Sequence, residues 1–325
     1  MRPRILVTQN IPEEGLAALR EEGEVVFCPH PERPATRAEL LEGIKGADAL
    51  LCLLSDIVDV DVMQACPRLM VIANMAVGYN NIDVASATAR HIPVTNTPGV
   101  LTETTADLTW TLLLAVARRV VEGDRYVRAG RFKVWQSTLL LGSDVHGKTL
   151  GIVGMGRIGL AVARRARGFD MSILYHNRHR VEASLEAGLG ARRVPLDRLL
   201  RSSDFVTLHA PYALETHHLI GPRELTLMKS TAYLINAARG PLVDEASLVE
   251  ALREGRLAGA ALDVYEQEPE LAPGLADLEN VVLTPHIGSA SRETRSRMSL
   301  IAAENILAAL VGKRPPNLVN PEVYP

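Results

Sequence analysis

Short apolar runs alternate with helix-like stretches along almost all of the 325 residues, and that rhythm restricts the fold more than any other feature. Ile5-Leu6-Val7 is followed by a helical pattern from Pro12 to Glu22, and Val25-Val26-Phe27 by one from Arg37 to Lys45. Ala49 to Leu54 and Met70 to Ala76 read as buried strands. A second series runs Leu150–Val153, Ser172–Tyr175, Phe205–His209, Ala232–Asn236, Ala260–Val264 and Val281–Thr284. Continuously apolar strands separated by helix-length spacers belong to parallel sheets covered on both faces. At ~150 residues per domain, the length allows about two such domains.

Two segments break the rhythm. Thr104 to Val121 is apolar or small almost throughout, so it reads as one helix buried on most sides, passing between domains, forming a subunit interface, or both. Pro98-Gly99 just before it makes a plausible hinge. Ser291 to Val311 reads as one long helix, which Pro315 and Pro316 cannot continue.

Composition removes several functional classes. With 35 Lys+Arg against 38 Asp+Glu, the net charge of -3 gives no overall field for nucleic acid or an anionic membrane. Aromatic residues at 4% offer no base-stacking platform. No apolar stretch reaches the ~18 residues of a membrane span. The start, MRPRILV, runs into a strand without a signal-peptide pattern. Cys28, Cys52 and Cys66 lack metal-ligand spacing, so no metal is expected; as sparse, odd thiols they suit a reducing cytoplasm and read as core residues.

Leu150-Gly151-Ile152-Val153 leads into Gly154-Met155-Gly156-Arg157-Ile158-Gly159, and Leu160 to Arg167 continues as a helix. This is GxGxxG between strand and helix, the setting in which the motif binds a dinucleotide. Gly154 permits the turn, Gly156 lets backbone approach a pyrophosphate, and Gly159 lets helix and strand pack. The helix start supplies free N–H groups and partial positive charge. An NAD site usually carries an acidic residue at the end of the next strand, on the ribose 2′-OH. Here the sequence is His176-Asn177-Arg178-His179-Arg180, with no carboxylate. Arg178 or Arg180 could pair with a 2′-phosphate, which favours NADP(H) over NAD(H). A solvated basic loop on an enzyme that uses NAD(H), or both cofactors, is the alternative.

Ligands bind outside the carboxyl ends of parallel strands. Those ends carry His209-Ala210-Pro211, Ala237-Ala238-Arg239-Gly240, Asp263, Glu268 and His286-Ile287-Gly288. Singly, each is an ordinary surface or turn residue; after a dinucleotide motif they suggest one crevice. Hydride transfer to a 2-oxo acid needs a cation for the carboxylate, which Arg239 supplies with two-pronged geometry. It also needs a proton for the carbonyl oxygen, and His286 is the natural donor, with Glu268 favouring its charged form. Asp263 could accept a hydrogen bond from the nicotinamide carboxamide. Earlier in the chain, Val77-Gly78-Tyr79-Asn80-Asn81-Ile82-Asp83 follows a buried strand, and Gly78 would let N–H groups turn toward an anion; a plain turn is the other reading.

Taken in order, these five segments resemble the D-isomer-specific 2-hydroxyacid dehydrogenases over nearly the whole chain. The resemblance implies two doubly wound α/β domains. A Rossmann cofactor domain would span 99–288, and a discontinuous flavodoxin-like substrate domain 1–98 with 289–325, closing about the two crossings. Within the family the chain is most similar to the glyoxylate and hydroxypyruvate reductases, through Gly130-Arg131-Phe132-Lys133-Val134-Trp135 and Leu141-Gly142-Ser143-Asp144-Val145-His146-Gly147-Lys148. That implies a homodimer in which Trp135 reaches the partner's substrate pocket or anchors the interface. It also implies Arg239, Glu268 and His286 as catalytic residues, with Leu53, Val77, Gly78 and Trp135 around a small 2-oxo or 2-hydroxy acid. The expected cofactor contacts are Gly154 to Gly159, Asn177 to Arg180, His209 to Pro211, Ala237 to Arg239, Asp263, His286 and Gly288. Thr105 and Thr216 complete that set. Asn177 stands where the family's ribose-binding Asp is usual, which puts NAD dependence in doubt. Two alternatives stay open: a broader dehydrogenase for larger 2-oxo acids, and a non-catalytic dinucleotide-sensing scaffold.

Overall fold

The structure is a computed structural model describing residues 2–324. The chain divides into two units: unit 1 runs to Leu101 and resumes at Ser289, and unit 2 is Thr102–Gly288. The first division lies three residues beyond Pro98, because Val100 and Leu101 pack into a core of unit 1.

Unit 1 contains β1 (Arg4–Val7), β2 (Glu24–Phe27), β3 (Ala49–Cys52), β4 (Val71–Asn74) and β5 (Val94–Thr95). All pair in parallel, in the order β2-β1-β3-β4-β5. That is the flavodoxin-like order, with its switch between β1 and β3. Side chains alternate between two cores, as the two-residue period of a strand requires. Ile5, Val7, Ala49, Leu51, Val71 and Ala73 join one core with Met298, Ala302 and Ile306 of the helix Arg292–Leu310. Leu6, Leu50, Cys52 and Ile72 join the other with Leu40, Ile44 and Val62. β5 has only two residues, too few to show a period in sequence.

Unit 2 contains β6 (Thr149–Val153), β7 (Ser172–His176), β8 (Ala191–Arg193), β9 (Phe205–Leu208), β10 (Tyr233–Asn236), β11 (Gly259–Leu262) and β12 (Val281–Leu283). They form one parallel sheet, β12-β11-β10-β9-β6-β7-β8. This is the Rossmann order with one further strand, reversing between β6 and β9. The expected α/β class with two doubly wound parallel sheets is borne out.

The apolar segment expected as a single helix from Thr104 to Val121 is two helices, Thr102–Ala117 and Val120–Arg128. Arg119 separates them with φ 54°. The first is apolar because it covers β10, β11, β12 and the helix Arg157–Ala166. Its Trp110 is buried and stacks on Phe169 with ring centres 4.6 Å apart. The second buries none of its residues.

Candidate active site

The sheet of unit 2 delivers Arg239, Glu268 and His286 from the segments that follow β10, β11 and β12. His286 Nδ1 lies 2.9 Å from Glu268 Oε2, so the pair read from the sequence is formed. Both side chains keep about a third of their surface exposed, 31% and 36%. Burial pushes the Glu268 carboxyl up, but the His286 bond, the Tyr265 N–H and the Arg239 charge together hold it below its ordinary value. Glu268 is therefore an anion at neutral pH and turns the imidazole so that Nε2 is left to exchange a proton.

Asp263 explains how His286 is presented. It is buried, and Oδ1 accepts from Thr284 Oγ1 at 2.6 Å and Ile287 N at 2.8 Å, while Oδ2 accepts from Gly288 N at 2.8 Å. These bonds straddle His286, which is held at φ 53°, an uncommon conformation for a residue with a side chain. Burial raises the Asp263 pKa, and its three donors offset part of that rise. The carboxylate assigned from sequence to a nicotinamide contact is thus largely spent on the His286 loop, with lone-pair capacity left on Oδ2.

Arg239 sits just beyond β10 in a turn built by Asn236. That buried side chain donates from Nδ2 to Arg239 O at 2.9 Å and accepts from Ala238 N at 3.1 Å. Its guanidinium makes one hydrogen bond among the described residues, Nη1 to Ala238 O, leaving a fork of donors. Burial lowers its pKa, opposed by the charge of Glu268. Gly240 follows because a Cβ there would lie 1.8 Å from Tyr265 O and 2.4 Å from Glu266 N. The Arg239 turn therefore packs backbone to backbone on the segment leading to Glu268. Neither Asn236 nor this role of Gly240 was anticipated, though both flank the Ala237-Ala238-Arg239 segment.

Two of the three motif glycines stand where a side chain would not fit. Gly154 has φ 95°, and a Cβ on it would lie 2.4 Å from Ala210 N. Gly159 meets Gly154 O in the same way at 2.4 Å, whereas nothing lies within 4 Å of a Cβ on Gly156. That open face precedes Arg157–Ala166, a helix without a side-chain cap, whose first N–H groups are available to an anion. His209 stands at the end of the neighbouring β9. Its Nε2 meets Thr207 Oγ1 at 2.9 Å, its buried Nδ1 has no partner among the described residues, and burial pushes its pKa down to about 3. An open glycine face, an uncapped helix start and an orphaned buried nitrogen fit a dinucleotide.

Residues 177–180 divide. Asn177 Oδ1 accepts from Met155 N at 2.6 Å, which ties it to the glycine loop. Arg180 is already paired with an acid: its Nε donates to Glu186 Oε2 at 2.7 Å, and Glu186 also accepts from the Tyr175 hydroxyl. Arg178 makes no ion pair among the described residues, and Arg193 braces its loop through Asn177 O at 2.9 Å and Arg178 O at 2.7 Å. A cleft of about 600 Å³ lined by His176, Arg180, Arg192 and Arg193 opens beside this loop, away from the catalytic groups.

The other expected residues are placed as follows. Thr105 is buried, with its side chain beside Gly288. Thr216 closes its own turn, donating to Pro211 O and accepting from Ala213 N. Leu53, Val77 and Gly78 lie in unit 1, on the loops after β3 and β4. Trp135 is 77% exposed in a stretch without regular structure. His217, His218 and Glu266 bring three ligand-type atoms within 4.8 Å. The two imidazoles are stacked 4.0 Å apart, so their in-plane lone pairs run side by side instead of converging on an ion. His218 Nε2 lies 2.6 Å from Glu266 Oε1 and ties the loop after β9 to the one carrying Glu268.

Residues 110–288 match the family profile described as D-isomer specific 2-hydroxyacid dehydrogenase, NAD binding domain. The chain belongs to that family. A glyoxylate reductase of Korarchaeum cryptofilum is 55% identical, over 99% of this chain and 97% of its own. A crystal structure of a Thermus thermophilus protein superposes with TM-score 0.91 at 50% identity, covering 97% of this chain and 99% of that one. Another, an NADPH-dependent glyoxylate/hydroxypyruvate reductase of Sinorhizobium meliloti in complex with NADP and malonate, gives 0.87 at 36% identity, covering 99% and 98%. As in the family, unit 2 is the part that takes a nicotinamide dinucleotide. Among the described residues no helix is long and apolar enough to cross a membrane.

Proposed function

We propose that the protein reduces glyoxylate or hydroxypyruvate to glycolate or D-glycerate at the expense of NADPH. The observation that carries this reading is the His286–Glu268 pair at 2.9 Å, presented beside a half-buried Arg239. A bound nicotinamide dinucleotide supplies the hydride. His286 Nε2 gives the proton to the carbonyl oxygen, and the Glu268 anion stabilises the imidazolium that does so. Arg239 holds the substrate carboxylate and polarises the carbonyl, so that positioning and charge carry most of the acceleration. Val77 and Gly78 supply backbone N–H groups for the carboxylate, and Leu53 limits the size of the acid.

The preference for NADPH rests on Asn177 in place of an acid and on Arg178, which has no ion-pair partner among the described residues. The NADPH-dependent relative from Sinorhizobium meliloti supports it. Homodimerisation is supported by the exposed apolar side chains Val127, Phe132, Val134, Trp135 and Leu141, and by the helix Val120–Arg128 that buries none of its residues. A cytoplasmic location is supported by three buried free thiols, Cys28, Cys52 and Cys66. A steady-state panel crossing glyoxylate, hydroxypyruvate, pyruvate and phosphohydroxypyruvate with NADH and NADPH tests the reading. The highest kcat/KM is expected for one of the first two acids with NADPH. No turnover with any pair would discard the enzyme reading, and sedimentation as a monomer would discard the dimer.

A further inference from the structure

Three asparagines stand at or after the carboxyl ends of β4 and β5, and among the described residues their amide Nδ2 groups donate only to backbone and to one another. Asn96 Nδ2 donates to Val77 O at 2.8 Å. The buried Asn74 donates from Nδ2 to Gly78 O at 2.8 Å and to Asn81 Oδ1 at 3.2 Å. Asn81 Nδ2 in turn donates to Leu53 O at 3.0 Å and Asp56 O at 2.9 Å. Asp56, also buried, accepts from Leu53 N at 2.7 Å. One network therefore spans the loop of Leu53 and the loop of Val77 and Gly78.

A peptide group is planar and trans, so its C=O and N–H point in opposite directions. Thr97 N donates to Ala76 O at 2.8 Å, which aims the Val77 N–H away from the segment after β5. Asn96, the adjacent residue, holds Val77 O and aims the Gly78 N–H the same way. Asn74 holds Gly78 O and fixes the Tyr79 N–H. Among the described residues none of these three N–H groups donates to a protein acceptor. Successive N–H groups left free by carbonyls held from behind make an anion-binding concavity.

We propose that Asn96 and Asn74 are positioning residues for the substrate carboxylate, acting through the Val77–Tyr79 backbone. The inference rests on the reduction of a small 2-oxo acid proposed above. A side chain that holds a carbonyl from behind does not touch the acid; its loss lets the peptide rotate and costs binding, not chemistry. Asn96 is half-buried and is the safer position to alter.

The test is Asn96→Ala in the full-length protein, with Asn96→Gln to restore an amide donor. Glyoxylate kinetics, oxamate affinity by calorimetry with NADPH bound, and Tm are read together. Asn96→Ala is expected to raise the KM for glyoxylate and the Kd for oxamate by about tenfold, the scale of one charge-assisted hydrogen bond. It should leave kcat within about twofold and the Kd for NADPH unchanged. Asn96→Gln should recover part of the loss. Unchanged KM and oxamate Kd, whatever happens to Tm, would overturn the assignment, as would an equal loss in kcat. Asn74→Ser is the second variant, expected to act in the same direction. A wild-type chain that bound oxamate but turned over no 2-oxo acid would remove the function proposed above and leave the role of Asn96 to the binding data.

Discussion

Replacing Gly240 with alanine tests whether the arginine and glutamate of the active site are held by one packed contact. A Cβ at this position would lie 1.8 Å from Tyr265 O and 1.9 Å from its carbonyl carbon. Both neighbours are backbone, so the two segments must part by about 1.5 Å to reach ordinary contact. Forcing an extra methyl into such a site costs about 1–3 kcal/mol, or roughly 3–10 °C in Tm for a unit of this size. The displacement falls between Arg239 and the segment that leads to Glu268, so kcat should drop by about a hundredfold, the penalty of an ångström of misplacement. Gly156→Ala is the matched control. Nothing lies within 4 Å of its Cβ, so Tm should stay within about 1 °C, while the Kd for NADPH rises by at least about tenfold because backbone can no longer approach the pyrophosphate. Thermal melts by circular dichroism, NADPH oxidation and fluorescence titration of cofactor separate the two. A Gly240→Ala protein with wild-type Tm and kcat would refute the packed contact, and a Gly156→Ala protein with wild-type affinity would refute the cofactor cradle.

His286→Ala should lower kcat by about 10²–10⁴-fold while the Kd for NADPH is unchanged; a smaller fall removes it as the proton donor. Arg178→Ala should weaken NADPH more than NADH, and Arg180→Ala much less, since Glu186 already holds that guanidinium; the ratio of the two Michaelis constants for each variant decides. Burial depresses the His209 pKa to about 3 against an ordinary value near 6.5. The unfolded chain therefore binds the extra proton between these values, and stability present above about pH 6.5 is lost as the pH falls below it. His209→Gln should flatten the fall in Tm between about pH 7 and 5, and an unaltered slope would remove His209 as its source.

Most of both sheets was legible because parallel strands buried on two faces must be apolar throughout, as Leu50 to Cys52 and Leu234 to Ile235 are. The long helix read as Ser291–Val311 is Arg292–Leu310, set by its Ser291 cap. The Arg239, Glu268 and His286 segments were legible because the carboxyl ends of strands collect function. What escaped is made by contacts between distant segments. No local pattern reveals that Glu186 captures Arg180, that Asp263 spends itself on the His286 loop, or that Asn236 folds the Arg239 turn. The break at Arg119 was hidden because a helix that lies on a sheet and a helix that buries none of its residues follow each other without proline or glycine between them.

Unit 1 is closed by its own last segment. Asn320 accepts from Val94 N at 2.8 Å and donates to Ile92 O at 3.0 Å, and Leu318 bridges to Thr95, so residues near the end cover the free edge of β5. Met298, Ala302 and Ile306 fill one of its cores. During synthesis the five strands emerge first and wait, with that core unfinished and that edge bare, until all of unit 2 has left the ribosome. Unit 2, continuous in sequence, is free to fold in the interval. Unit 1 therefore cannot finish that core or cover that edge before unit 2 has been translated, an interval in which a bare strand edge is a template for aggregation.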